Sequence, residues 1–156
     1  MKLTIISLFI LFSGFVGIPK KKKLESQGFP IGTKFVLELT DDDEGNYDFK
    51  VLSEESINYK ADYSKSEDYF SENPVPGTIE CVFAKGIDQG GPFKSVLLIK
   101  SNLKVMLNYK AEVSYKKSGK FYSTSVSMLF PGVRSSELWN DKLTGIILHD
   151  FTKADL

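Results

Sequence analysis

The stretch MLNYKAEVSYKKSGKFYSTSVSMLF, residues 106–130, reads as two alternating arms around Ser118-Gly119. In the first arm Leu107, Tyr109, Ala111, Val113 and Tyr115 share one face, and Asn108, Lys110, Glu112, Ser114 and Lys116 share the other. The return arm sets Tyr122, Thr124, Val126, Met128 and Phe130 against Ser123, Ser125 and Ser127. A side-chain period of two is the pleat of a β-strand with one buried face. A two-residue loop at Ser118-Gly119 predicts Tyr115 opposite Tyr122, Val113 opposite Thr124, Ala111 opposite Val126 and Tyr109 opposite Met128. Slipping by one residue would turn the lysines inward, so the pattern resists an odd shift.

The same period recurs upstream. Phe35, Leu37 and Leu39 form one apolar face, and Tyr47, Phe49 and Val51 form another after the acidic turn Asp41 to Asn46. Gly45 supplies the positive φ that such a turn requires. Ile79 to Ala84 and Ser95 to Lys100 predict two further strands, and the unbroken run Val96-Leu97-Leu98-Ile99 implies that one is covered on both faces. Ile146, Ile147 and Leu148 predict a last strand ending near His149, while Ser135-Ser136-Glu137 is placed at the cap of a helical turn carrying Leu138 and Trp139. Seven or eight short strands with regular turns predict an all-β antiparallel sandwich of immunoglobulin-like architecture.

Ahead of this domain stands MKLTIISLFILFSGFVGI, residues 1–18, an apolar block behind Lys2. Its layout is that of a secretory signal peptide, and it is shorter than the roughly 20 apolar residues of a spanning helix. The small-residue cleavage pattern is poor, and Lys20 to Lys23 place positive charge after the block. A short retained anchor is therefore the alternative, with membrane contact confined to residues 1–18. Residues 19–32 read as a basic, polar leader outside the core, and 33–156 as the domain.

With 42% hydrophobic and 26% charged residues the chain supports one packed core. Its formal net charge is zero, with carboxylates crowding the first half and lysines the second. A single arginine, Arg134, and no net positive charge argue against a nucleic-acid surface.

Candidate chemistry is sparse. One histidine, His149, and one cysteine, Cys81, cannot supply a zinc site, and a strand-buried thiol is inert. No cofactor is expected. The acidic turn Asp41 to Asp48 leaves calcium open, although Gly45 falls one place early for a standard calcium loop. Adjacent carboxylates such as Glu54 and Glu55, or Glu67 and Asp68, point to opposite faces if they lie on strands. The segment Gly86 to Pro92 lacks the lysine and hydroxyl of a phosphate loop.

The segment Tyr59 to Asn73 mixes aromatic and acidic residues before Pro74-Val75-Pro76-Gly77. Read as a surface loop, it offers Tyr59, Tyr63, Tyr69 and Phe70 to a protein or glycan partner. Read as a strand over Ile57 to Tyr63, its aromatics pack inward. The expectation is an exported, non-enzymatic binding module of the cell envelope, periplasmic, extracellular or at the cell surface. A small envelope-glycan hydrolase and a membrane-anchored accessory subunit are the alternatives.

Overall fold

The computed structural model describes residues 28–87, 94–115 and 119–154. The apolar block, the lysine run and most of the Gly86 to Pro92 segment lie outside them. Among the described residues there are nine strands: β1 (Gly28–Pro30), β2 (Thr33–Asp41), β3 (Asn46–Ser56), β4 (Thr78–Lys85), β5 (Ser95–Ser101), β6 (Leu107–Tyr115), β7 (Phe121–Thr124), β8 (Arg134–Trp139) and β9 (Leu143–Lys153). A 3₁₀ helix, Tyr63–Tyr69, is the one helix among the described residues. It is too short to cross a membrane.

All ladders are antiparallel and join in a single curled sheet in the order β7-β6-β9-β3-β2-β4-β5-β8, with β1 also paired to β9. Two separate layers of an immunoglobulin-like sandwich are therefore not what these strands make. The reason is the length of β9. Beyond Ile146 to Leu148 it runs on to Lys153, pairing β6 along one edge and β1, then the start of β3, along the other. That one strand stitches the two groups of strands together. At Asp150, whose φ is 51°, the β6–β9 register shifts. The resulting bulge turns Phe151 into the core two residues after the outward-facing His149.

The two edge strands meet as the sheet curls. Trp139 Nε1 donates to Thr124 Oγ1 at 3.0 Å, and Ser127 N donates to Glu137 Oε1 at 2.6 Å. Side chains, rather than a ladder, draw the edges together. The helical turn expected at Ser135 to Trp139 is strand β8, because its residues complete the pairing of β5, with Val96 opposite Leu138.

Hairpin β2–β3 has the expected faces, with Leu37 opposite Val51, Leu39 opposite Phe49, and Gly45 at φ 87° in the turn. Hairpin β6–β7 does not keep its expected partners. Val113 faces Tyr122 and Ala111 faces Thr124, a shift of two residues from the expected pairing. An even shift preserves the faces, so the hydrophobic pattern could not detect it. β7 stops at Thr124; Leu129 is buried and bridges Leu107, while Phe130 is exposed. On the outer face the Phe121 ring covers two glycines: a Cβ at Gly145 would lie 3.1 Å from Ser114 Oγ and 3.2 Å from Phe121 Cζ.

Inside the curl, Phe35, Leu37, Ile79, Cys81, Phe83, Leu97, Ile99, Leu107, Ile146 and Leu148 form the main core. Phe29 belongs to it, fully buried and stacked on Phe35 with ring centroids 3.7 Å apart. The leader expected to stay outside thus contributes its last residues to the sheet.

Tyr109 is an irregularity in this core. Its ring stacks on Phe151, yet among the described residues its buried hydroxyl has no hydrogen-bond partner. Desolvation, with the nearby Glu137 and Cys81, pushes its ionisation well above the ordinary phenol range. An unpaired buried hydroxyl carries a desolvation penalty, so Tyr109→Phe is expected to raise the unfolding free energy by about 1 kcal/mol. Urea unfolding measures this; a loss of similar size would mean that the hydroxyl is hydrogen-bonded in solution.

Candidate functional site

The outer face of β4 and β5, polar at Thr78, Glu80 and Lys100, is apolar along the rest of its length. Val82, Ala84, Val96 and Leu98 form a second buried cluster with Ala61. What covers it is the chain between β3 and β4, residues 57–77, which lies across the outer face as a strap. Ile57, Tyr69 and Phe70 pack onto the cluster from the strap, and Leu138 packs from β8. This explains why β5 is buried on both sides.

Hydrogen bonds fix the strap along its length. Ile57 N donates to Gly32 O at 2.7 Å, Ala61 N to Lys85 O at 2.9 Å, and Ile87 N to Ala61 O at 3.0 Å. Asp62 caps the 3₁₀ helix, accepting from Ser64 N at 2.9 Å and Ser64 Oγ at 2.6 Å. Arg134 reaches across from β8, donating to Ser66 Oγ at 2.9 Å and pairing with Glu67. At the far end the buried carboxylate of Glu80 accepts from Ser71 N and from Asn102 Nδ2, each at 2.9 Å. The strap is therefore neither the expected strand over Ile57 to Tyr63 nor a loose loop. A continuous ladder cannot form there, because Ala61 makes only an isolated bridge to Gly86 before the 3₁₀ helix begins.

The four aromatic residues singled out in this segment divide by role. Tyr59 and Tyr69 come together, with ring centroids 5.6 Å apart and planes inclined by 17°. Tyr69 Oη accepts from Asp62 N at 2.9 Å, which locks the inner ring. Tyr59, the outer one, is 40% exposed. Burial, helped by Tyr69 and Glu55, raises its phenol ionisation. Phe70 is half-buried against the second cluster, and Tyr63 is exposed at the start of the 3₁₀ helix.

The Tyr59–Tyr69 pair forms one side of a shallow groove of about 410 Å³, open to solvent and completed by Lys34, Lys60 and Asp68. Lys34 was not legible as a site residue from the sequence. It comes from β2, where the alternation that buries Phe35 turns Lys34 outward. Among the described residues neither Lys34 nor Lys60 forms an ion pair with a carboxylate, whereas Lys50 pairs with Glu38 and Lys110 with Asp150.

The other candidates lie elsewhere. His149 is on the outer face of β9, with Nε2 3.6 Å from Glu112 Oε1 and Nδ1 3.3 Å from Asp150 Oδ2. Asp150 accepts from Lys110 Nζ at 3.0 Å, and that hydrogen bond, seconded by His149, holds its carboxyl below the usual range. Cys81 sits in the inner core, its thiol pushed up by complete desolvation and by Glu80. The sheet therefore separates thiol from imidazole, and they form no dyad.

In the acidic turn the carboxylates fold the backbone. Asp42 Oδ1 accepts from Glu44 N at 2.9 Å and Asn46 N at 3.0 Å, and Asp41 Oδ1 accepts from Asp43 N at 2.8 Å. Among the described residues no three His, Cys, Asp or Glu side chains converge in a way that could hold a metal ion. Glu54 and Glu55 are exposed on β3, Glu67 pairs with Arg134, and Asp68 alone of these carboxylates reaches the groove.

No protein-family model matches the chain, and neither the curated proteins nor the solved structures yield a match.

Proposed function

We propose that the chain is an exported, non-enzymatic binding module of the cell envelope, and that the outer surface of the strap is its binding face. The observation that carries this reading is Tyr59, a large ring held half in solvent by a stack on a tyrosine that is itself hydrogen-bonded. An immobilised aromatic contributes contact area while losing little side-chain freedom on binding, which suits recognition. Export rests on the apolar block of residues 1–18.

Cosedimentation with isolated cell envelopes tests the reading. Wild-type protein is expected in the pellet, and Tyr59→Ser is expected to weaken retention on the order of tenfold, as loss of an aromatic anchor does. Equal retention of both proteins, or release of soluble glycan fragments during incubation, would contradict it.

A further inference from the structure

The chemistry around Tyr59 narrows the class of ligand. Two cationic donors, Lys34 and Lys60, line the groove beside one anionic acceptor, Asp68. A second carboxylate, Glu55, stands cross-strand from Lys34 and close enough to act on the Tyr59 phenol. The local charge therefore cancels. A cleft for a phosphate, sulfate or carboxylate ligand would concentrate one sign. This one interleaves donors and acceptors around a ring that is 40% exposed.

Lysine ammonium groups donate only, and carboxylates accept only. Side by side, they match the neighbouring hydroxyls of a sugar, each of which both donates and accepts. The negative face of a tyrosine ring in turn attracts weakly positive C–H groups, and a pyranose carries a row of these on one side.

Resting on the binding role proposed above, we infer that the Tyr59–Tyr69 groove binds an uncharged pyranose unit of an envelope glycan. Tyr59 stacks on the sugar's C–H face, while Lys34, Lys60 and Asp68 take its hydroxyls. Because the groove is shallow and open, it grips one side of the ring and leaves the polymer free to continue in both directions.

Isothermal titration of the full chain with maltotetraose, cellotetraose, mannotetraose, chitotetraose and tetragalacturonate tests the inference. At least one of the four neutral oligosaccharides is expected to bind with an affinity that changes little between low and high salt, since no net charge is neutralised. Tyr59→Ala is expected to lower that affinity about tenfold, and Tyr59→Trp to retain it. Binding confined to tetragalacturonate, binding abolished by salt, or binding indifferent to Tyr59 would overturn the assignment. If the chain cosediments with envelopes in a Tyr59-dependent manner yet none of the tetrasaccharides binds, the sugar assignment falls while the binding face stands. If neither is observed, both fall.

Discussion

Replacing Phe29 with alanine is expected to lower the unfolding free energy by about 3–5 kcal/mol, the cost of deleting a large buried ring and leaving a cavity. Phe29 is fully buried, stacks on Phe35, and sits where β1 pairs with β9, opposite Ile146. Its removal takes packing from the junction at which the two groups of strands become one sheet. Urea unfolding of Phe29→Ala beside Val75→Ala gives the comparison. Val75 is 56% exposed in the turn before β4, and its truncation is expected to change stability by no more than about 0.5 kcal/mol. Equal, small effects at both positions would mean that the core begins after residue 30.

The second large effect is expected at Glu80. This carboxylate is buried, and it accepts one bond from the strap, at Ser71 N, and one from Asn102 beyond β5. Glu80→Ala removes the acceptor of the Ser71 amide and one of the two acceptors of Asn102 Nδ2, which also donates to Thr78 Oγ1, and is expected to cost about 1–2 kcal/mol. Glu80→Gln keeps one acceptor oxygen but opposes the other donor with an NH₂ group, so roughly half of that loss is expected. The damage is local. Hydrogen exchange in Glu80→Ala is expected to accelerate at strap amides such as Ala61 and Ser71, while β6 and β9 on the opposite side of the sheet keep their protection. Uniform acceleration through all strands would show instead that the strap and the sheet unfold as one unit.

The parts of the fold that were legible are those in which local pattern and tertiary burial agree. The alternation of Phe35, Leu37 and Leu39 against Tyr47, Phe49 and Val51 defines both arms of β2–β3, and the register follows from the turn around Gly45. The unbroken run Val96 to Ile99 correctly implied cover on both sides. It could not say what the cover was.

Two of the misreadings share a physical origin. Period two reports which face a residue occupies and is blind to shifts of two, so β6–β7 kept its faces and changed its partners. It also loses track of a strand that contains a bulge. The positive φ at Asp150 inverts the parity between Leu148 and Phe151, which hid the last part of β9 and with it the link that closes the architecture into one sheet. β8 was hidden differently: Ser135, Ser136 and Glu137 favour caps and turns in isolation, and the pairing to β5 overrides that preference.

Much the same holds for the site. The aromatic content of residues 59–70 marked the segment, and the structure brings Tyr59 and Tyr69 together while turning Phe70 toward the sheet. Lys34 was out of reach of any local reading, because it enters the groove from a strand more than twenty residues away in the chain. Arg134, remarkable in the sequence only for being the sole arginine, holds the 3₁₀ helix through Ser66 and Glu67.

Amide chemical-shift mapping tests the central claim, that the strap over the outer face of β4 and β5 is the binding surface. The measurement is a titration of the ¹⁵N-labelled full chain with soluble fragments of isolated cell envelope. The expected result is a set of perturbations centred on Tyr59, Lys60, Asp68 and Tyr69 and extending to Lys34 on β2, with the β6–β9 face around Glu112 and His149 unchanged. Perturbations centred on Glu112, His149 and Asp150, with the strap unmoved, would contradict it.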